Sequence, residues 1–92
     1  MKILVLNWLD RENPQSGGAE VHLHEIFRRL VEWGHSVTLL CSAWPGCERR
    51  ATLDGIDVHR VGGRYTLSLV APVYFRRRLR AEGFDVVVED LN

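Results

Sequence analysis

A continuous apolar run near the amino terminus, Ile3 to Leu6, constrains the fold of this 92-residue chain more than any other feature. Unbroken apolar runs of this length are typical of strands buried on both faces, as in parallel sheets. A polar segment follows, and then Leu23, Ile26, Phe27 and Leu30 have the i, i+3, i+4, i+7 spacing of a helix with one apolar face. A buried strand followed by a helix predicts a β-α unit of a parallel α/β fold.

The rest of the chain continues this alternation. Gly34 is expected to end the first helix, near residues 18–33, in a left-handed conformation. Val37 to Cys41 is a second apolar run, and residues 42–54 read as a loop. Ile56 to Val61 alternates apolar and polar residues, which predicts a half-exposed edge strand.

A second helix is expected near residues 69–82, with Pro72 in its first turn, where proline is tolerated. A fourth strand, Phe84 to Val88, follows. The order β-α-β-β-α-β predicts an α/β fold, a partial doubly wound (Rossmann-like), mostly parallel sheet with strand order 3-2-1-4. The carboxyl ends of the strands, which carry Asn7, Cys41, Val61 and Glu89, then form one rim, where ligands of such folds bind.

Length and composition fit one small soluble domain, with 46% apolar residues and a formal net charge of zero. A neutral chain argues against a dedicated nucleic-acid binder. The start of the chain does not resemble a signal peptide, and no run approaches the length of a membrane span. Cys41 and Cys47 are interpreted as reduced thiols of a cytoplasmic protein.

The fourth strand is an apolar edge, because the chain stops directly after it at Asn92. Exposed apolar edges favour pairing with another chain, so we expect self-association through this strand. Doubly wound sheets usually continue beyond four strands. We therefore expect this chain to be the front part of a longer protein.

Two adjacent glycines, Gly17 and Gly18, lie where the first helix begins. Free N–H groups and the helix dipole favour an anion at such a position, and glycine has no Cβ to block a phosphate. The alternative is a tight turn that requires positive φ. The motifs G-x-G-x-x-G and G-K-[ST] are absent, which disfavours a nucleotide-cofactor enzyme and a P-loop.

Two further groups of polar residues have two interpretations each, and a pair of histidines has one. Glu20 can accept a hydrogen bond from a sugar hydroxyl or cap the helix at its third position. Glu89, Asp90 and Asn92 can supply a general base or orient a hydroxyl, or they are simply polar residues after a strand. His22 and His24 lie on different sides of the helix and cannot chelate a metal together.

Four arginines, Arg76, Arg77, Arg78 and Arg80, lie on the second predicted helix beside aromatic residues. A basic amphipathic face of this kind can contact anionic lipid, which would make the protein peripheral to the inner face of the membrane. The same side chains can also form an ordinary solvated face.

The segments "MKILVLNW", "GGAEVHLHEIFRRLVEWGHSVTLLCS", "DGIDVHRVGG" and "FDVVVEDLN", in this order and spacing, resemble the amino-terminal end of a family-four glycosyltransferase. That family has the GT-B fold, in which two Rossmann-like domains face a cleft. The resemblance implies that residues 1–92 are the amino-terminal part of the acceptor-side domain. The carboxyl-terminal donor-binding domain is absent from this chain.

The resemblance also implies a function. The whole enzyme would transfer a hexose from a nucleotide-sugar to a hydroxyl of a glycan or lipid-linked acceptor, with retention of configuration and without a metal or other cofactor. The loop of Gly17 and Gly18 would approach the donor diphosphate, with Glu20 and Asn92 as further substrate-binding residues. This chain alone is expected to be inactive.

One position departs from the family pattern. Many members have a histidine near the reacting sugar at the end of the fourth strand, where this chain has Asp90. Asp90 is therefore the candidate catalytic residue, and its role and the acceptor class stay open. The alternative function is a stand-alone, non-catalytic α/β module that binds a phosphate or nucleotide through the diglycine.

Overall fold

The computed structural model describes residues 1–90, so the predicted contribution of Asn92 lies outside the described residues. The elements, in chain order, are β1 (Lys2–Asn7), α1 (Gly18–Glu32), β2 (Ser36–Ser42), β3 (Arg50–Leu53), β4 (Ile56–Val61), α2 (Leu67–Tyr74) and β5 (Val86–Asp90). A π turn (Phe75–Leu79) and a 3-10 turn (Arg80–Glu82) continue α2 toward β5.

The sheet has five strands in the order β3-β4-β2-β1-β5. β1 pairs in parallel with β2 and β5, and β2 pairs in parallel with β4. The predicted Rossmann-like α/β class is therefore confirmed. The four expected strands have the expected relative order, 3-2-1-4, but the complete sheet differs from the prediction by one added strand.

The added strand is β3, in the segment that the sequence pattern assigned to a loop. It pairs antiparallel with β4 through a two-residue turn at Asp54 and Gly55, whose φ angles are 54° and 78°. Positive φ at both positions is typical of the hairpin turn that an Asp-Gly pair forms. β4 therefore lies between two strands and is largely buried, so the prediction of a half-exposed edge strand was wrong.

The first helix begins after Gly17, which is its N-cap, and ends in a left-handed glycine as predicted. The N–H groups of Gly34 and His35 donate to the carbonyls of Val31 and Leu30, each at 3.0 Å, and φ of Gly34 is 95°. This pair of hydrogen bonds is the Schellman motif. It satisfies two carbonyls that the last turn of the helix would otherwise leave without a donor.

The buried face of α1 differs by one position from the predicted stripe. Leu23, Phe27 and Leu30 pack against the sheet as expected, whereas Ile26 is 46% exposed. His24 occupies a buried position instead and is only 1% exposed. His24 accepts a hydrogen bond from the Arg11 N–H in the loop that follows β1, a contact that residue spacing alone does not indicate.

The second helix begins at Leu67, two residues before the expected start. Pro72 is consequently inside the helix and not in its first turn, which corrects the prediction. A proline here removes only the hydrogen bond to the carbonyl of Ser68, and Ser68 is exposed to water. The π turn that follows ends with the Arg80 N–H bonded to the Phe75 carbonyl.

The two faces of the sheet form two apolar layers. One layer contains Ile3, Val5 and Leu39 and is covered by α1, and the other contains Leu4 and Leu40 and is covered by α2 with its π turn. Leu39 and Leu40 have no exposed surface, although they are adjacent in the sequence. β2 is thus buried on both faces, as its unbroken apolar run indicates.

The other outer strand, β5, has a neighbour on one side only among residues 1–90. It begins at Val86, two residues later than expected, and Val86 and Val87 are 38% and 54% exposed. An outer strand with exposed apolar side chains is the feature on which the self-association hypothesis rests. Self-association itself stays a prediction.

We expect Gly55→Ala to destabilise the fold by about 1–3 kcal/mol in urea denaturation. Alanine is strained at this φ, and a Cβ would stand 2.7 Å from the Cγ1 atom of Val31. Gly18→Ala is the matched control, because among residues 1–90 only the adjoining backbone lies within 4 Å of its Cβ position. Equal stability of the two variants would contradict the assigned hairpin turn.

Candidate functional site

The carboxyl ends of the parallel strands form one rim of the sheet, as predicted. The register places Asn7 opposite Asp90 and Ser42 opposite Val61. The loop of residues 8–17 crosses this rim and leads into α1. Its first residue, Trp8, is fixed to β2, because the Ser42 N–H donates to the Trp8 carbonyl at 3.0 Å.

A buried ion pair beneath the rim holds this loop to the sheet. The Arg60 guanidinium of β4 donates two hydrogen bonds to the Asp10 carboxylate, Nε to Oδ2 at 2.8 Å and Nη2 to Oδ1 at 3.2 Å. The side chains of Asp10 and Arg60 are 0% and 2% exposed. A planar guanidinium matches a carboxylate in this two-bond geometry better than lysine does.

The remaining donors and acceptors of the pair are also used. Arg60 donates to the Glu12 carboxylate and to the Glu48 carbonyl, both at 3.1 Å, and its guanidinium lies 4.5 Å from the centre of the Trp44 ring. The Glu12 N–H donates to Asp10 Oδ1 at 2.8 Å. A buried ion pair is tolerated when its hydrogen-bonding capacity is filled in this way.

The electrostatics of Asp10 follow from two opposing effects. Burial alone would raise the pKa of its carboxyl group, but the hydrogen bonds from Arg60 and the Glu12 N–H and the charge of Arg60 outweigh burial. The pKa of Asp10 is therefore below its ordinary value, and the group is a carboxylate at neutral pH. Burial raises the pKa of the neighbouring Cys41 thiol, whose sulfur lies 3.4 Å from Asp10 Oδ2.

A second set of contacts ties the same loop to α1 and to the β3–β4 turn. The Arg11 N–H donates to His24 Nε2 at 3.4 Å, and the Arg11 side chain forms an ion pair with Asp54 at 2.9 Å. Asn13 is buried and accepts from the Gln15 N–H at 2.9 Å. Loop residues 10–15 are thus anchored on three sides, which fixes where Gly17 starts the helix.

The diglycine is exposed, and nothing within the fold requires glycine there. Gly17 has an extended conformation, with φ −140°, and neither Gly17 nor Gly18 has positive φ. Apart from the adjoining backbone, no atom of residues 1–90 lies within 4 Å of the position that a Cβ would take on either residue. The reading as a tight turn with positive φ was therefore wrong.

The first amide groups of α1 lack hydrogen-bond partners in the part of the chain that the structure describes. No side chain caps the helix, and within residues 1–90 the N–H groups of Gly18 and Ala19 have no hydrogen-bond acceptor. Glu20 forms no capping hydrogen bond back to Gly17 in this part of the chain. The helix start therefore has free donors and the positive end of the helix dipole.

Glu20 lines a cleft of about 430 Å³ beside the helix start. Trp8 and Leu9 form one wall, and Arg64 and Tyr65 form the other. Arg64 is held by a hydrogen bond to Gln15 at 3.1 Å. The cleft thus combines aromatic surface with one carboxylate and one guanidinium, which is a usual composition for a small-molecule site.

The structure places the other predicted site residues apart from this cleft. Asp90 is exposed at the end of β5, on the sheet face that α1 covers, since strand residues alternate and Val88 packs on that side. Glu89 lines a separate apolar groove beside α2. Within residues 1–90, no three His, Cys, Asp or Glu side chains gather as metal ligands would.

Asp10 and Arg60 are the residues that sequence reasoning missed as a pair. Their separation of fifty positions gives no local pattern. The available signal was a polar residue just after a buried strand and an arginine at an inward position of another strand. Buried charges of this kind are rare unless they are paired, so each one indicates a partner.

Comparison with known proteins now decides the family. The model of Glycosyltransferase Family 4 matches residues 16–90, from the diglycine to the end of β5. The chain belongs to glycosyltransferase family 4. No curated protein and no solved structure gives a significant match to it.

The match covers the helix start, both helices and four of the strands of this family-4 chain, whereas β1 and Asp10 lie before its first residue. Membership implies a sugar donor and an acceptor as the general substrate classes. Both cysteines are free in the structure, Cys41 buried and Cys47 half-buried, and their reduced state stays a prediction. None of the helices within residues 1–90 has the length and apolar character needed to cross a membrane.

We expect Arg60→Met to destabilise this family-4 domain by about 3–5 kcal/mol in urea denaturation, because it leaves the Asp10 carboxylate buried without its cation. Arg11→Gln is the control. It removes an arginine from a partly exposed pair with Asp54, and such pairs contribute about 1 kcal/mol or less. Similar losses in the two variants would contradict the central role of the buried pair.

The pH dependence of stability has a defined sign. The pKa of Asp10 in the folded protein is below its ordinary value of 3.8. The ionised carboxylate therefore makes its full contribution to the free energy of unfolding at any pH above that value. The contribution is lost as pH falls through the folded pKa. Urea unfolding should be measured from neutral pH down to the folded pKa of Asp10. We expect the free energy of unfolding to fall more steeply with decreasing pH in the wild type than in Asp10→Asn. Parallel curves would contradict this assignment.

Proposed function

We propose that this chain supplies one wall of the active-site cleft of a glycosyltransferase that moves a hexose from a nucleotide-sugar to a hydroxyl of a glycan or lipid-linked acceptor. In the reaction, the acceptor oxygen bonds to the anomeric carbon while the bond from that carbon to the diphosphate breaks. The electron pair of that bond leaves with the diphosphate. Retention of configuration and independence of metals are part of the proposal.

The observation that carries the proposal is the exposed diglycine with its free amide groups. Internal packing explains neither glycine, so an external reason for a bare backbone is favoured. A departing diphosphate gains negative charge, and N–H groups aimed at developing charge are an efficient way to stabilise it. The helix start at Gly17 and Gly18 offers such donors.

The cleft beside Glu20 suits a sugar ring or the acceptor. Its carboxylate can accept hydrogen bonds from hydroxyl groups, and Trp8 and Tyr65 provide flat apolar walls. A carboxylate here would repel a phosphate, so we assign the sugar hydroxyls to Glu20. The diphosphate is assigned to the amides of the helix start.

Asp90 is proposed to orient the acceptor hydroxyl or to accept its proton. The proposal is supported by the register that pairs Asp90 with Asn7 at the carboxyl ends of β5 and β1. An exposed carboxylate at this place can act as a base once a second wall excludes water. The GT-B arrangement, with a separate donor-binding domain as that wall, belongs to the same proposal.

Cytoplasmic location, with contact to the inner face of the membrane through Arg76, Arg77, Arg78 and Arg80, is proposed for the case of a lipid-linked acceptor. All four side chains are exposed. Each arginine near an anionic surface contributes about 1 kcal/mol to membrane binding.

We expect Gly18→Ala in the full-length transferase to keep its melting temperature and to lose about 100-fold in kcat/KM, because the added methyl group fills the space of a phosphate oxygen. The loss corresponds to the contribution of a well-placed donor to the transition state. Kinetics and thermal melting should be measured on the same preparations.

Gly34→Ala, at the other end of the same helix, is the matched control. Its φ of 95° makes alanine strained, so the melting temperature should fall while turnover per folded molecule is kept. Unchanged turnover in Gly18→Ala would remove the diphosphate role. Nucleotide binding without sugar transfer by the wild-type protein would favour the stand-alone module.

A further inference from the structure

A cleft of about 380 Å³ lies between the β3–β4 hairpin and the end of α2. Arg49 and Arg50 line one side, and Tyr74 and Arg78 line the other. Gly62 lies between the two sides. We propose that this basic cleft binds a phosphate group, as a site separate from the diglycine.

The charges in the cleft leave a clear excess of positive charge. Arg60 also borders it, but its guanidinium is committed to Asp10 and Glu12. Arg50 donates to both carboxylate oxygens of Asp57 at 3.1 Å. Within residues 1–90, the side chains of Arg49 and Arg78 have no acceptor, and no carboxylate lines the cleft.

The walls of the cleft are held in place by contacts that do not use the two free guanidinium groups. The Arg60 N–H donates to the Arg49 carbonyl at 2.8 Å, which fixes the start of the hairpin. The Tyr74 hydroxyl lies 2.6 Å from His59 Nδ1, and His59 Nε2 lies 3.0 Å from Asp57. A site whose walls are fixed beforehand loses less entropy when a ligand binds.

Arg78, one of the two cleft arginines that have no acceptor within residues 1–90, lies in the π turn beside the cleft. It directly precedes Leu79, which has no exposed surface and anchors that turn. Single π turns inside helices occur frequently at functional sites. Arg78 lines the cleft together with Tyr74, four residues earlier, whereas its neighbour Arg77 does not.

The chemistry favours phosphate over other anions. Guanidinium groups bind phosphate oxygens through paired N–H donors, and two uncompensated arginines match the charge of a phosphate dianion. The cleft has room for a group attached to the phosphate, so a lipid headgroup and a free phosphate compound share the required chemistry. This cleft and the Glu20 cleft share no lining residue, which separates the two sites.

The first arm of the test is titration of the chain with inorganic pyrophosphate, followed by amide NMR. We expect saturable shifts at Arg49 and Gly62, and at least about tenfold weaker binding in Arg49→Gln and Arg78→Gln, since each loses charge-assisted hydrogen bonds. Arg77→Gln, with the same change of charge on the same helix, should weaken binding less than about twofold. Melting temperatures verify that each variant is folded.

The second arm is co-sedimentation with phosphatidylcholine vesicles that contain or lack phosphatidic acid. Retention that Arg78→Gln abolishes, and that Arg77→Gln reduces by no more than about fivefold as one general surface charge would, identifies a lipid phosphate as the ligand. Pyrophosphate binding without vesicle binding identifies a soluble phosphate compound. Shifts confined to Gly17, Gly18 and Ala19, or equal effects of the two variants in both arms, overturn the proposal. The diglycine assignment is tested separately by Gly18→Ala.

Discussion

The buried ion pair between Asp10 and Arg60 is the contact on which the candidate site depends. A loop that buries a charged residue such as Asp10 is stable only if an oppositely charged group is buried beside it. Arg60 of β4 is that group. The pair joins the segment after β1 to a strand two places away in the sheet. It thereby fixes the direction in which the chain enters α1, and with it the position of the diglycine.

The glycines discussed above fall into two groups. Gly34 and Gly55 have positive φ and serve the fold, since one ends a helix and the other closes a hairpin. Gly17 and Gly18 have no such internal duty and face open space at a helix start with free amide groups. Within a family of enzymes that transfer sugars, this contrast is the strongest support for an anionic ligand at the diglycine.

Local patterns predicted most of the fold from the sequence. Unbroken apolar runs identified the buried parallel strands, and the spacing of apolar residues identified α1. The missed strand, β3, is short and partly polar, although the Asp54-Gly55 pair between Leu53 and Ile56 was a readable hairpin signal. Its omission also led to the wrong prediction that β4 is an edge.

Only the part of the candidate site that is local in sequence could be inferred from sequence, and its role stays a prediction. Gly17, Gly18 and Glu20 are adjacent to one another and to a helix start, so their common location could be inferred. The Asp10–Arg60 pair and the cleft of Arg49 and Arg78 depend on tertiary contacts between distant segments, and no spacing rule contains them. Pro72 shows the same limit, because its tolerance inside α2 depends on the exposure of Ser68.

The most direct test of this account is amide NMR of the full-length transferase during titration with a nucleoside diphosphate. We expect saturable shifts of the Gly18 and Ala19 amide resonances, because among residues 1–90 their N–H groups have no acceptor at the start of α1. Binding of the nucleotide that leaves both resonances unchanged would contradict the assignment of the diphosphate to this helix.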